Sequence, residues 1–265
     1  MQIHQFTFGP FETNTYVLSF PSGRDGVGPH ILLIDPACSN EYEQQQLLDY
    51  INSVSEQSER SVFCQRSGLS AQRSVSNAVC QRSGLSAQRS VSAAVCQRSG
   101  LSAAGGLIIL ATHGHLDHLW GAKWATDRWN VPVLIPEADI PMVKAMQSQY
   151  DLFGIRSKAQ PFPIEPITKD SLPLGRAGVG FSILSTPGHT PGSICLYSPS
   201  LQGGDGVGFL FSGDTLFRGG YGRTDLPGGD TSQLIASLRQ LATLPPDTQV
   251  FPGHGEPTTI GSELR

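Results

Sequence analysis

The sequence predicts an α+β fold in which two sheets pack face to face with helices outside. Three observations predict it. The first strand-like runs follow one another across turn signals, helix-like runs enter only between later strands, and the two halves of the chain repeat this order.

Taken in chain order, β-branched and aromatic runs predict strands over residues 3–8, 15–20 and 31–34, an antiparallel meander. Tyr42, Leu47, Leu48 and Ile51 recur at three- and four-residue spacing and predict a helix over 41–51. Further strands are expected over 107–111, 133–135, 181–184, 193–197, 209–212 and 249–251, and helices over 119–128, 140–147 and 233–241. Residues 23–28 and 203–208 are glycine-rich but open no helix, so they read as hairpin loops and not as phosphate cradles.

The segment 61–104 stands apart. A 16-residue unit beginning Cys64-Gln65-Arg66-Ser67-Gly68-Leu69 returns at Cys80 and, shortened, at Cys96. The copies are nearly identical and carry only Leu, Val and Ala for burial, unlike the diverged, apolar-striped units of repeat folds. The segment therefore reads as a low-complexity, disordered insert in a single domain spanning 1–265. Its Gly-Leu-Ser-Ala is no nucleophile elbow, because the closing glycine and the preceding strand are both absent. The insert should leave the start of the 107–111 strand, the end opposite the residues that carry the chemistry.

Composition narrows the function. The net charge is −4, yet six arginines and no acid fall between Arg60 and Leu116, so the rest of the chain is more acidic than the whole. An acidic body argues against nucleic acid as partner. No apolar run approaches the roughly 18 residues of a membrane span. The first residues carry no basic-then-apolar leader, and three of five cysteines belong to the repeat, which is no disulfide framework; the expected compartment is the cytoplasm. No oligomeric state follows from the sequence.

The chemistry is concentrated in His113-Gly114-His115-Leu116-Asp117-His118, four potential metal ligands within six residues, directly after an apolar strand. His189, Asp214 and His254 each follow a strand-like run that stops at a glycine. In extended backbone, residues two apart point the same way, so His113 and His115 can grip one ion, with His189 completing that group. Asp117 and His118 can reach a second ion, with His254, while the two oxygens of Asp214 can bridge. Imidazole and carboxylate without thiolate suits two divalent cations, zinc first, iron or manganese as alternatives. Between such ions a water would act as a bridging hydroxide, its pKa lowered from about 15.7 toward roughly 7, with Asp117 and Asp214 as the catalytic carboxylates. Asp35, at the end of Ile31-Leu32-Leu33-Ile34, is expected to hold the ligand loop by hydrogen bonds. His4 and His30 read as ordinary structural histidines.

These residues resemble the metallo-β-lactamase superfamily. The likeness rests on Leu33-Ile34-Asp35-Pro36, on 112–118, on Thr186-Pro187-Gly188-His189-Thr190-Pro191-Gly192-Ser193, on Gly213-Asp214-Thr215-Leu216 and on Pro252-Gly253-His254-Gly255. Residues 211–230, with Gly222-Arg223-Thr224-Asp225, are similar to the short glyoxalase II-like (hydroxyacylglutathione hydrolase-like) branch. The resemblance implies an αββα sandwich of two mixed sheets, a two-metal centre and hydrolysis of hydroxyacyl thioesters, with a small-molecule thioester as the partner. It also implies a flap over the metals formed by 150–154, which makes Tyr150 and Phe153 candidate substrate contacts; Arg223 is a third, with bracing of the Asp225 loop as its other reading. Long glyoxalase II proteins hold glutathione partly with a helical C-terminal domain, whereas 11 residues follow His254 here, which leaves the thiol carrier open.

Three rivals within the superfamily fit less well. True β-lactamases typically lack the bridging aspartate. Flavodiiron proteins would carry Glu in place of His115, and the RNases carry basic surfaces. A mono-iron persulfide dioxygenase shares the fold and a Gly-Arg-Thr-Asp segment and stands as the enzymatic alternative. A non-catalytic scaffold using the basic insert as an arm is the alternative from another class.

Overall fold

The computed structural model describes residues 1–20, 30–66, 106–167, 181–199 and 207–265. Most of the insert, residues 23–28 and residues 203–206 lie outside the described residues. The first sheet contains β1 (Gln2–Phe8), β2 (Thr13–Phe20), β3 (His30–Ile34), β4 (Leu107–Leu110), β5 (Val133–Pro136) and β6 (Ile164–Ile167), side by side in chain order. Its first three strands form the antiparallel meander, and β3 to β6 run parallel. The second sheet has the order β13 (Thr258–Thr259), β12 (Gln249–Pro252), β9 (Phe209–Gly213), β8 (Ile194–Ser198), β7 (Ser182–Ser185). Both sheets are mixed: β9 and β12 pair parallel, and β7, β8 and β9 pair antiparallel. A small ribbon of β10 (Leu216–Phe217) and β11 (Gly220–Tyr221) stands beside them.

The period-2 alternation of side chains builds three apolar layers from these two sheets. On β2, Tyr16, Leu18 and Phe20 join the central layer and Val17 the outer one. On β3, Leu32 and Ile34 face the centre, whereas Ile31 and Leu33 face outward. The second sheet answers with Ile194, Leu196 and Phe211 in the centre, and Cys195, Leu210 and Val250 on its outer face. Phe211 stacks on Phe251 at 5.1 Å and meets Tyr16 edge-on at 5.2 Å. The outer faces are covered by helices. Leu47 and Ile51 of α1 (Glu41–Arg66) and Ala122, Ala125 and Trp129 of α2 (Ala122–Trp129) cover the first sheet. Leu241 of α5 (Thr231–Leu241) and Ile260 of α6 (Ile260–Glu263) cover the second. This is the αββα sandwich. Among the described residues no helix is long and apolar enough to cross a membrane.

Several boundaries differ from the sequence reading, each for a local reason. The helix expected over 41–51 runs on to Arg66, so the first residues of the 61–104 segment continue it. The helix expected over 119–128 splits: a 3-10 turn covers Asp117–Leu119 and α2 starts at Ala122. Gly121 lies between them, its N–H donating to the Pro36 carbonyl at 2.8 Å; a side chain there would come within 2.9 Å of two backbone oxygens. The helix expected over 140–147 is α3 (Ile140–Lys144) and α4 (Met146–Leu152), parted at Ala145. Strand β6 was not expected, because Pro166 sits inside it; as the last strand of its sheet it tolerates the missing N–H. The hairpin loop expected at 23–28 and residues 203–206 of the one expected at 203–208 lie outside the described residues, and the strands they join pair antiparallel.

Candidate metal centre

Every strand that carries a candidate ligand delivers it to the same end of the sandwich. His113 follows β4, Asp214 follows β9, His254 follows β12, and His189 lies in the turn between β7 and β8. Segment 61–104 rejoins the sheet at Gly106, before β4, whereas His113 comes after it. The loops are then tied across the two sheets. Asn14 on β2 donates from its side chain to the carbonyls of Pro252 at 3.0 Å and Gly255 at 2.8 Å, and its backbone N–H donates to Gly253 at 2.7 Å. The Tyr16 hydroxyl donates to the same Pro252 carbonyl at 2.7 Å. Gly253 has to be glycine, because a Cβ would run into the Asp214 carboxylate and lie 2.7 Å from His118 Cε1.

All seven predicted ligands converge. His113 Nε2 lies 3.1 Å from His115 Nδ1, which lies 2.8 Å from His189 Nε2, one group. His254 Nε2 is 3.2 Å and His118 Nε2 3.5 Å from Asp117 Oδ2, a second group. Asp214 stands between them: Oδ1 is 3.2 Å from His118 Nε2, and Oδ2 is 3.5 Å from both His189 Nε2 and His254 Nε2. Ligands about 2.0–2.1 Å from a tetrahedral cation are about 3.3 Å from each other, and the separations here run from 2.8 to 3.5 Å. His118 Nε2 and Asp214 Oδ1 are buried without a hydrogen-bond partner, which is costly unless something else satisfies them. The donor set and these two orphaned atoms fit divalent cations.

The outer nitrogens of the rings are held, and this sets which nitrogen faces inward. His118 Nδ1 donates to Asp35 Oδ2 at 2.9 Å, His189 Nδ1 to the Arg223 carbonyl at 2.7 Å, and His254 Nδ1 to the Glu12 carbonyl at 3.3 Å. The Thr112 hydroxyl gives its proton to Asp35 Oδ2 at 2.8 Å and so can accept from His113 Nδ1 at 3.1 Å. Each of these rings thus turns its Nε2 to the centre, where the neutral ring offers a lone pair. Asp35 also accepts the Thr112 N–H at 2.7 Å from an αL backbone, φ 54°. Burial and the neighbouring imidazoles push His115 down to about 4, and His113 is also held well below the ordinary value, so both are neutral donors. At His118 burial acts the same way, but Asp117, Asp214 and Asp35 outweigh it and raise its pKa well above normal. His254 is raised too: burial opposes, and the Asp117 hydrogen bond and Asp214 prevail.

Sequence reasoning missed several supports. The carboxylate of Asp139, fully buried, accepts from Gly114 N at 2.8 Å, Gly192 N at 2.6 Å and the Thr190 hydroxyl at 2.7 Å, clamping the His113–His115 loop to the His189 loop. Asp139 occupies the N-cap position of α3, yet its side chain makes no capping hydrogen bond there. Gln149 grips the same loop from the other side, accepting from Leu116 N and donating to the Gly114 carbonyl, both at 2.9 Å. The Thr13 hydroxyl donates to Asp117 Oδ2 at 3.0 Å. Nothing in spacing or composition marks these residues.

The candidate substrate contacts fall in different places. A cavity of about 350 Å³ opens beside His115, and Phe153 lines it with Met142, Leu152 and Leu226. Tyr150 does not line it; its half-buried ring packs near Trp120 at 6.2 Å. The Arg223 guanidinium is bound to Asp225 by two hydrogen bonds of 2.6 Å, and only its carbonyl reaches the site, through His189. His4 stacks on Tyr50 at 4.1 Å, in the outer layer of the first sheet.

A family model described as the metallo-beta-lactamase superfamily matches residues 90–254. The chain belongs to the metallo-beta-lactamase superfamily. Within it, the chain is 36% identical over 160 residues to hydroxyacylglutathione hydrolase GloC of Haemophilus influenzae, covering 60% of this chain and 73% of that one. It is 34% identical over 160 residues to the probable metallo-hydrolase YqgX of Bacillus subtilis, covering 59% and 72%. Among solved structures, TTHA1623 in a di-iron-bound form superposes with a TM-score of 0.64 at 30% identity, over 99% of this chain and 97% of that one. Membership in this superfamily and the clustered His/Asp groups point together to a metal-dependent hydrolase that uses divalent cations.

Proposed function

We propose that His113, His115 and His189 hold one divalent cation, that Asp117, His118 and His254 hold a second, and that Asp214 bridges them. The whole chain serves as one hydrolase domain that cleaves hydroxyacyl thioesters. The observation that carries this reading is the position of the Asp214 carboxylate, within 3.5 Å of donors from both groups. The likeness to GloC supports the thioester, and the di-iron relative supports iron beside zinc or manganese as the metal.

When bound, such cations supply a strongly acidified water and a Lewis acid for the acyl carbonyl. The rest is the work of this chain. The rings of His118, His113, His189 and His254 are held by Asp35, Thr112, Arg223 and Glu12, so they already face the centre before a cation binds. Asp117 and Asp214 provide negative charge that balances the cations, and Thr13 orients Asp117. In net terms one water adds to the acyl carbon, the C–S bond breaks, and an acid and a thiol leave. Cys38 and Cys195 are buried free thiols, which supports cytoplasmic residence.

Elemental analysis of the purified protein, paired with a screen of thioesters against persulfides, tests this. Two metal equivalents with thioester hydrolysis are expected. One iron with oxygen consumption on a persulfide would make the chain a dioxygenase of the same fold, and no metal at all would leave the scaffold reading.

A further inference from the structure

The cavity beside His115 is walled by Pro141, Met142, Ala145, Leu152, Phe153 and Leu226, and among the described residues no Asp, Glu, Lys or Arg lines it. Its polar lining residues are Ser148, with one neutral hydroxyl, and Gln149 and His115, which are already engaged. Gln149 spends both ends of its amide on the Leu116 N–H and the Gly114 carbonyl, and His115 turns Nδ1 to the metal centre. Lys144, next to Ala145 in the chain, lines a separate groove with Met146 and Phe162. Two wall residues, Leu152 and Phe153, remain 58% and 41% exposed, and Phe153 meets the exposed Phe11 edge-on at 5.3 Å. Large apolar side chains left in water around a concave surface mark a binding site for an apolar group. A glutathione moiety brings two carboxylates and an ammonium, and these walls offer them no ionic partner.

We propose that this cavity receives the uncharged, apolar chain of the hydroxyacyl group, so that the site selects thioesters by the aliphatic or aryl part of that group and not by the charges of the thiol carrier. The inference rests on the thioester reading for its place in catalysis, but the cavity can be tested without turnover. The chain has three methionines, Met1, Met142 and Met146. Met142 lines this cavity and Met146 the separate groove, so ¹³C-methyl methionine spectra report on both at once. Titration with N-hexylacetamide should shift the Met142 methyl and leave Met146 in place, and glutathione at the same concentration should shift neither. An unmoved Met142, or an equal response to glutathione, overturns the assignment.

Kinetics supply the second arm. Across glycoloyl, 2-hydroxybutyryl and 2-hydroxyhexanoyl thioesters of N-acetylcysteamine, kcat/KM should rise by about tenfold or more, as burial of added methylenes in an apolar pocket predicts. Met142→Glu and Ala145→Trp should each flatten that rise. If no thioester is turned over while Met142 still responds to the amide, the functional reading falls and the cavity assignment stands. If thioesters are hydrolysed without dependence on chain length and Met142 stays still, the cavity assignment alone falls.

Discussion

Asp35 Oδ2 accepts the Nδ1 proton of His118 at 2.9 Å, inside the sandwich where both side chains are essentially inaccessible to water. The same carboxylate takes the Thr112 hydroxyl and N–H, so one residue at the end of β3 fixes the ring of His118, the ring of His113 and the backbone that leads into the ligand loop.

Asp35→Asn should therefore retain the fold, because Asn tolerates the αL backbone at φ 54°, but lower cation affinity about 10–100-fold. Titration calorimetry on the metal-free variant checks this. Wild-type affinity would mean that His118 needs no outer partner.

Asp139→Ala should cost about 3 kcal/mol of stability, since it leaves two buried N–H groups and a buried hydroxyl without their acceptor. It should also loosen the His113–His115 and His189 loops relative to each other, so that metal retention after dialysis falls as well. Urea unfolding and elemental analysis measure the two effects, and loss of neither would show the clamp to be dispensable.

Proton linkage follows from the raised pKa values of His118 and His254. Both are raised above the ordinary histidine value in the metal-free protein, so at neutral pH His118 holds a proton that a cation must displace. Metal binding at pH 7 should release protons, and affinity should weaken as pH falls. Calorimetry in buffers of different ionisation enthalpy reads the proton count directly; an enthalpy independent of buffer contradicts the assignment.

Deletion of residues 61–104 should leave metal content and turnover unchanged. Segment 61–104 rejoins the sheet before β4, and every candidate ligand lies past the opposite end of a strand. Loop length carries little penalty, about 0.6 kcal/mol per doubling. Parallel metal analysis and assay of the two chains decide it, and loss of both properties on deletion would give the segment a structural role.

Sequence made the two sheets and the ligand set legible for the same physical reason: both are written as local patterns. Alternation on β2 and β3 sorts Tyr16, Leu18, Leu32 and Ile34 to one face, and a glycine before Asp214 or His254 marks a strand end. What stayed hidden depends on contacts between distant residues. Asp139 matters because Gly114 and Gly192 approach it from 25 and 53 residues away, and Asn14 because Pro252 lies 238 residues off. Strands of two residues, such as β10 and β13, are too short to show a period at all. The apolar cavity is likewise a product of assembly, since Met142, Leu152 and Leu226 share no motif.

Two cations sharing Asp214 are the centre of the proposed chemistry. Anomalous diffraction from crystals of the metal-loaded protein tests that most directly. Two peaks about 3.5–4 Å apart, one against His113, His115 and His189 and the other against Asp117, His118 and His254, with Asp214 between them, are the predicted result. A single peak, or peaks away from Asp214, would contradict it.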